Sequence, residues 1–167
     1  MICLRGTQIV DWEMLKSVVY AIVCAVALMF AVPPVTNAEV SGVLKMIDGE
    51  TVEIGGARFR LYGIDAPDPG QSCEIRGREY NCGHVSKTAL MDLVAGVKIR
   101  YILRALPGLA TCYANGYDLA EGMVHTGWAM AMKRDGGKYL RIEREAERAR
   151  RGLWQGNFVA PWDWKPD

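Results

Sequence analysis

Three short segments in which apolar and polar residues alternate, joined by tight-turn signals, constrain the fold of this chain more than any other feature. They read VSGVLKM at 40–46, TVEIGG at 51–56 and ARFRLYGI at 57–64. Asp48-Gly49 separates the first two segments and Gly55-Gly56 the second from the third, and such pairs are typical of tight turns between strands. Because alternation with a period of two indicates strands, these residues predict a three-stranded meander.

The rest of the chain adds a helix, two strands and two more helices to the meander. Helical spacing of apolar residues predicts a helix over 84–94, and strands follow at 97–103 and 109–115. Asp118 is placed to cap a short helix, and a last, highly charged helix is predicted over 138–151. Five strands with a helix after the third predict a mixed α+β fold, namely a five-stranded oligonucleotide/oligosaccharide-binding (OB-fold) β-barrel with three helices.

A separate signal precedes these elements, because residues 17–38 carry no charge at all. Lys16 stands before this run and small residues end it at Ala38, which is the pattern of a cleaved secretory signal peptide. We therefore expect a leader over 1–38, with Met14 as a possible true start, and a domain over 39–167. The alternative is a membrane anchor, which needs roughly 20 apolar residues, but Pro33-Pro34 interrupts any helix there. Export predicts a secreted or periplasmic protein.

Overall charge gives little guidance about partners. The chain has 167 residues and a formal net charge of +1, so one domain is expected and there is no global attraction to nucleic acid. A protein that coats DNA usually has a basic face, which this balance disfavours. The charged run at 141–151 alternates arginine with glutamate at pairing distance, and is interpreted as a solvated helix face.

Three cysteines follow the predicted leader. In an oxidising compartment near neighbours pair, and Cys73 and Cys82 bracket the short polar segment EIRGREYN. The alternative is a metal site that adds His84 to these cysteines, but the spacing fits none of the usual zinc patterns. Cys112 lies in an apolar strand, and we expect it to be a buried free thiol.

Acidic residues cluster where predicted strands end. Asp48 and Glu50 lie on the first turn, and Asp65 and Asp68 follow the third strand in GIDAPDPG. Hard cations such as Ca²⁺ bind several oxygens from side chains and main chain. Asp65, the main-chain carbonyl of Ala66 and an acidic side chain from the first turn are therefore candidate metal ligands.

Arg60 lies on the same third strand, five residues before Asp65. A guanidinium donates two hydrogen bonds to one phosphate, so an arginine beside a bound cation suits phosphodiester hydrolysis. That reaction also needs a base to position water, and Asp68 is the candidate. These residues together predict a site that holds a cation beside a phosphate.

Longer stretches of the chain resemble a known family. VLKMIDGETVEIGGARFRLYGIDAPDPGQ looks like the opening of the thermonuclease, or staphylococcal-nuclease-like (SNase-like), family. ANGYDLAEGMVHTGWAMA and EREAERARRGLW resemble its closing helices, and QSC, YNCG and APWDW resemble its secreted bacterial branch. The resemblance covers about residues 40–164 and implies an OB-fold barrel with three helices. It also implies cutting of DNA and RNA with Ca²⁺ as cofactor.

The resemblance assigns roles position by position. Arg60 matches an arginine that contacts the phosphate, Asp65 matches a calcium ligand, and Ala66 the residue whose carbonyl joins it. Glu50 stands where the family usually has a second ligand aspartate. Asp68 stands where it usually has a general-base glutamate. Both acidic changes keep the charge and move the carboxylate by one methylene.

One departure affects the second phosphate contact. Before the fifth strand the family usually reads Asp-x-Tyr-Gly-Arg, whereas this chain reads LRALPGLATC. Pro107 occupies the arginine position and Ala105 the tyrosine position, and proline has no donor for a phosphate. Arg104 is close along the chain and is the candidate replacement.

Two functions therefore stay open. The first is an exported Ca²⁺-dependent nuclease of impaired or shifted activity, acting as a monomer on single-stranded DNA or RNA. The second is a non-catalytic binding module of the cell envelope, linked to exopolysaccharide assembly.

Overall fold

The computed structural model describes residues 44–166, the backbone of Ala38–Glu39, and the single positions Lys16 and Val19. The predicted leader over 1–38 therefore lies almost entirely outside the described residues. The chain divides into two compact units, 1–35 and 36–167, and every strand and helix labelled below belongs to the second. None of the helices among the described residues is long and apolar enough to cross a membrane.

Eleven short strands and three α-helices are found among the described residues of the second unit. The strands are β1 Ala38–Glu39, β2 Leu44–Met46, β3 Thr51–Ile54, β4 Ala57–Leu61, β5 Ile64–Asp65, β6 Ser72–Ile75, β7 Arg78–Asn81, β8 Ile99–Leu103, β9 Leu109–Ala114, β10 Tyr117–Asp118 and β11 Met130–Ala131. The helices are α1 Cys82–Val94, α2 Leu119–Thr126 and α3 Leu140–Arg148. The mixed α+β class and the three helices are confirmed.

The main sheet has the strand order β1-β8-β9-β4-β3-β2, with β10 beside β9. Neighbouring strands are antiparallel except β4 and β9, which pair in parallel through Arg60 with Leu109. The five predicted strands correspond to β2, β3, β4, β8 and β9. Within Ala38–Glu39 and residues 44–166 no pairing joins β1 to β2. The sheet described here is thus an open path, and its closure into a barrel stays a prediction.

The third predicted strand, 57–64, is divided in the structure. Gly63 has a φ of 85°, a left-handed conformation that glycine adopts without a steric penalty. The break separates β4 from β5, which pairs with β11 through Asp65 and Met130. A side chain at Gly63 would also lie 2.9 Å from the ring of buried Tyr139. The consequence for the site is that Asp65 is carried by a separate two-residue strand.

Helix ends follow the capping residues. Asn81 accepts a hydrogen bond from the His84 N–H at 2.7 Å, so α1 begins two residues earlier than the predicted 84–94. Asp118 caps α2 as predicted, accepting from Ala120 N at 3.0 Å. The last helix, Leu140–Arg148, is shorter than the predicted 138–151, and the positive φ of 49° at Arg150 is incompatible with its continuing to 151.

The sheet packs against the helices around one core. Its fully buried members include Val52, Leu61, Leu90, Met123 and Val124. Burial of such side chains stabilises a fold by roughly 1.5–3 kcal/mol each.

A second, smaller cluster surrounds a disulfide. Cys73 and Cys82 are bonded, with 5.6 Å between their Cα atoms, and Leu153 packs beside them. The predicted pairing is confirmed, and Cys112 is a buried free cysteine as expected. The bracketed segment, read only as polar in the sequence, is a hairpin of β6 and β7. A bridge between Glu74 and Asn157 fastens the C-terminal tail to that hairpin.

Candidate active site

The first turn is shaped by Asp48. Its Oδ1 accepts hydrogen bonds from the backbone N–H groups of Glu50, at 2.9 Å, and Thr51, at 2.6 Å. Aspartate commonly stabilises turns in this way, since its short side chain reaches the backbone two or three residues on. Asp48 thus has a structural task, and its effect is to present Glu50 beside β4.

Gly49 allows this turn to pack closely against the loop that follows β5. A Cβ atom placed there would lie 2.0 Å from Ser86 Oγ and 3.0 Å from Ala66 Cβ. Ser86 is itself fixed, because its hydroxyl donates to the Trp128 carbonyl at 2.8 Å. Only glycine fits this contact, and it brings the first turn and Ala66 together.

Arg60 connects the two acidic loops. The pairing of Thr51 with Arg60 places the arginine alongside the first turn. Its Nη2 lies 2.5 Å from Glu50 Oε1 and 3.5 Å from Asp65 Oδ1. The side chains of Glu50 and Asp65 are only 12% and 14% exposed, whereas that of Arg60 is 46% exposed. The structure therefore brings Glu50, Arg60 and Asp65 together.

Burial favours the neutral form of the carboxyl groups in this cluster, and Arg60 opposes that effect. Burial raises the pKa of Glu50 to about 8, and Asp65 and Asp48 raise it further while Arg60 lowers it. Arg60 does not offset the burial, because its own charge is nearly half exposed and screened by water. Burial also raises the pKa of Asp65, against the lowering effects of Arg60 and Arg134. Further positive charge beside these carboxyl groups would therefore stabilise their ionised form.

One oxygen atom indicates where such charge would act. Glu50 Oε2 is buried and has no hydrogen-bond partner among the described residues, which is costly for a carboxyl oxygen. No group of three or more His, Cys, Asp or Glu side chains suited to a metal occurs in the described part of the chain. The candidate metal ligands at this site are the carboxylates of Glu50 and Asp65 and the main-chain carbonyl of Ala66. Ca²⁺ accepts such all-oxygen sets and completes its coordination with water, so Glu50, Asp65 and Ala66 are the residues that could hold a hard cation.

Asp68 lies at the rim of the site. Its carboxylate is exposed and makes no hydrogen bond or ion pair with the described residues, although its charge helps to raise the pKa of Asp65. Buried Gln71 holds the loop by accepting from Asp68 N at 3.3 Å and donating to Val159 O at 2.7 Å. The structure brings Asp68 near Asp65 but not into contact with Arg60.

Arg104 is engaged elsewhere. Its Nε and Nη2 both donate to Thr111 Oγ1, at 2.8 and 2.5 Å, and its guanidinium carbon lies 4.6 Å from the centre of the Tyr62 ring. These contacts hold Arg104 against its own sheet. Pro107 and Ala105 lie in the exposed turn between β8 and β9. The structure therefore does not bring Arg104 into contact with Glu50 or Asp65.

A cavity of about 280 Å³ opens beside Arg60 and contains a residue that the sequence analysis missed. It is lined by Arg60, Leu61, Ile64, Leu106, Leu109, Met132, Arg134 and Asp135. Arg134 belongs to the short 3₁₀ helix Lys133–Asp135, which follows β11 after Met132. It is exposed and makes no ion pair or hydrogen bond within residues 44–166. The signal for it was the basic pair Lys133-Arg134, directly after the segment GWAMAM.

Several known proteins are similar to this chain in sequence. A family model described as "Staphylococcal nuclease homologue" matches residues 58–156. Succinoglycan biosynthesis protein ExoI of Rhizobium meliloti (strain 1021) is 31% identical over 122 residues, covering 68% of this chain and 64% of that protein. Probable staphylococcal-like nuclease CAN2 of Oryza sativa subsp. japonica is 33% identical over 117 residues, covering 66% of this chain and 29% of that protein. Micrococcal nuclease of Shigella flexneri is 29% identical over 162 residues, covering 87% of this chain and 90% of that protein. This chain thus matches part of the first two relatives and most of the third.

Proposed function

Because the chain belongs to the staphylococcal nuclease homologue family, we propose that it is an exported, Ca²⁺-dependent nuclease that hydrolyses phosphodiester bonds of single-stranded DNA or RNA. The observation that carries the proposal is the position of Arg60. Two mostly buried carboxyl groups hold its guanidinium, yet the side chain lines an open cavity. An arginine oriented in this way is ready to donate to a phosphate without reorganising.

The roles of the residues follow from their surroundings. Glu50, Asp65 and the Ala66 carbonyl would hold the cation. A bound Ca²⁺ supplies charge neutralisation at the phosphate and a place for water. Arg60 donates hydrogen bonds to the phosphate oxygens and stabilises the charge that develops on them. Asp68, exposed at the rim, is the group placed to accept a proton from water.

The departures from the family pattern lower the expected rate. Glu50 is longer by one methylene than the usual aspartate, and Asp68 is shorter by one than the usual glutamate. Small displacements of groups at a reacting centre lower the rate by up to about a hundredfold. Pro107 removes a donor, and loss of one such donor costs about two to three decades in rate. We therefore propose that this nuclease is slower than its relatives. We also propose that it works as a monomer.

A cleavage assay tests the activity. Residues 39–167 would be given denatured DNA and RNA in the presence of Ca²⁺ and, in parallel, of chelator. We expect cutting that chelator abolishes and that Arg60→Ala reduces at least a hundredfold. Arg58→Ala is the matched control, because Arg58 lies on the same strand but outside the cluster. Its Nε lies 3.2 Å from Glu53 Oε2. Equal loss in both variants would contradict the role of Arg60.

A binding module of the cell envelope is the second candidate function. Pro107 and the engagement of Arg104 with Thr111 favour it, as does the relative named for succinoglycan biosynthesis. Absence of cutting by a correctly folded protein, together with binding to an acidic polysaccharide, would favour this alternative over the nuclease.

Export is supported by the Cys73–Cys82 disulfide, which is stable in oxidising compartments. Sequencing the N-terminus of the mature protein tests it, and we expect the first residue to be Glu39. A mature chain that begins at or before residue 17 would contradict export by a cleaved leader.

A further inference from the structure

A second cavity adjoins the one that contains Arg60. It measures about 430 Å³ and is lined by Met130, Ala131, Met132, Lys133, Arg134, Glu143 and Trp162. Met132 and Arg134 line both cavities. The two spaces are therefore neighbours with a common wall, and a chain-like ligand lying over Arg60 would reach the second cavity by passing Arg134.

Trp162 gives this second cavity an exposed aromatic side chain. Trp162 is 44% exposed, so its indole ring is accessible to a ligand. It belongs to the 3₁₀ helix Pro161–Asp163, and Pro161 is buried. The Asp163 N–H donates to the Ala160 carbonyl at 2.9 Å and closes the turn. The backbone that carries Trp162 is thus held in a defined turn beside the cavity.

The charges around the cavity favour an anionic ligand. Lys133 and Arg134 are exposed and pair with no carboxylate in the described part of the chain. Glu143 is the one carboxyl in the lining. Its Oε1 accepts from Ala131 N at 2.7 Å, and burial raises its pKa. Two cations beside an aromatic surface form the combination that binds single-stranded nucleic acid, because every base has a face that stacks and every linkage has a charge.

We propose that this second cavity is a nucleotide subsite, in which an unpaired base stacks on Trp162 while Arg134 contacts the phosphate that links it to the nucleotide at Arg60. The identity of the ligand rests on the proposed nuclease function. Trp162 lies outside residues 58–156, the part matched by the family model, so the stacking surface comes from the C-terminal segment of this chain. A base paired in a duplex cannot present its face to Trp162, and the subsite therefore selects single strands.

Equilibrium binding tests the subsite independently of catalysis. A labelled thymidine oligonucleotide of about ten residues and a duplex of equal length would be titrated in chelator. We expect Trp162→Ala to weaken single-strand binding about 5- to 100-fold, the range for loss of one stacked base, and Trp162→Phe to retain most of it. Duplex binding should not change. Melting temperatures of both variants show whether the fold is intact.

The role of Arg134 has its own readout. The logarithm of the affinity for single strands falls with the logarithm of the salt concentration, by about 0.7 for each phosphate contacted. Arg134→Ala should reduce the magnitude of that slope by about 0.7, the amount for one phosphate contact. Arg148→Ala is the matched control, because it removes the same charge from an exposed position that lines neither cavity. An unchanged slope in Arg134→Ala would overturn this part of the proposal.

The failure of the subsite can be told from the failure of the nuclease. Single-strand binding that depends on Trp162 in a protein that cuts nothing would support the subsite and contradict the proposed activity. Chelator-sensitive cutting with unaltered binding by Trp162→Ala would support the activity and overturn the subsite. Equal weakening of single-strand and duplex binding, or a Trp162-dependent affinity for an acidic polysaccharide without oligonucleotide binding, would also overturn it.

Discussion

Glu50 and Arg60 form the closest ionic contact of the candidate site, with 2.5 Å between Glu50 Oε1 and Arg60 Nη2. The contact is asymmetric, because the glutamate is almost buried and the arginine is nearly half exposed. The second glutamate oxygen, Oε2, has no partner among the described residues. A pair built only for stability would satisfy both oxygens. The unsatisfied oxygen indicates instead that Glu50 is placed for a further positive group.

Replacing Glu50 by glutamine should stabilise the metal-free protein at alkaline pH. Burial raises the pKa of Glu50 from 4.5 to about 8, so the folded protein keeps a proton that the unfolded chain has released. The free energy of unfolding therefore falls as pH rises from 4.5 to 8. Glutamine has no proton to lose, so the stability of Glu50→Gln relative to wild type should rise by up to about 4 kcal/mol between pH 5 and pH 9, at about 1.36 kcal/mol for each pKa unit.

Urea unfolding in chelator at the two pH values measures this difference. Glu53→Gln is the control, because Glu53 pairs with Arg58 at the surface and should show no comparable gain. A Glu50→Gln protein that loses stability relative to wild type on going to pH 9 would show that Arg60 dominates the environment of Glu50.

A methyl group at Gly49 should separate the two acidic loops. The added Cβ would lie 2.0 Å from Ser86 Oγ, and overpacking of this kind costs typically 1–3 kcal/mol. We expect Gly49→Ala to lower the unfolding free energy by that amount and to weaken Ca²⁺ binding. In a double-mutant cycle with Ser86→Ala the two costs should be less than additive, because the second change removes the clashing hydroxyl. Strict additivity would contradict the contact.

Reduction of the Cys73–Cys82 disulfide should destabilise the domain. The bond closes a short loop, with a sequence separation of 9, and the chain-entropy effect of such a loop is about 2–3 kcal/mol. Thermal unfolding with and without reductant should show this loss in wild type and in Cys112→Ala. The Cys73→Ser/Cys82→Ser variant should be insensitive to reductant.

Because Cys112 is buried and its pKa is raised to about 12 by burial, it should not react with thiol reagents in the folded protein.

Arg104 and Arg60 should differ when each is replaced by alanine. Arg104 donates to Thr111 and lies over Tyr62, so Arg104→Ala should lower stability by about 1 kcal/mol and leave kcat/KM within about threefold of wild type. The Arg60 variant should differ by a loss of kcat/KM of at least a hundredfold, in addition to the stability lost when Glu50 and Asp65 have no shared partner. A hundredfold loss of kcat/KM in Arg104→Ala, with unchanged melting temperature, would identify Arg104 as the replacement phosphate contact.

Much of the fold could be predicted because it depends on local signals. Period-two alternation of apolar residues predicted β3 and β4. Asp118 was predicted to cap α2, and the spacing of the cysteines predicted the disulfide. Where prediction was incomplete, a tertiary contact was responsible. The third strand is broken at Gly63 where the chain passes the Tyr139 ring, and the hairpin of β6 and β7 is fastened by Asn157, more than eighty residues away from Glu74.

The candidate site divides in the same way. The sequence alone determined which groups are present: the acidic first turn, Arg60, the Asp65–Asp68 loop and the absence of an arginine at position 107. Only the tertiary structure decided which of them meet. Glu50 and Asp65 share one guanidinium because β3 pairs with β4 and Gly49 allows close packing, whereas Arg104 is held by Thr111. Arg134 and Trp162, far apart in the sequence, line one cavity. Side-chain chemistry is a property of single residues, but burial, pKa and proximity depend on atoms that only folding brings together.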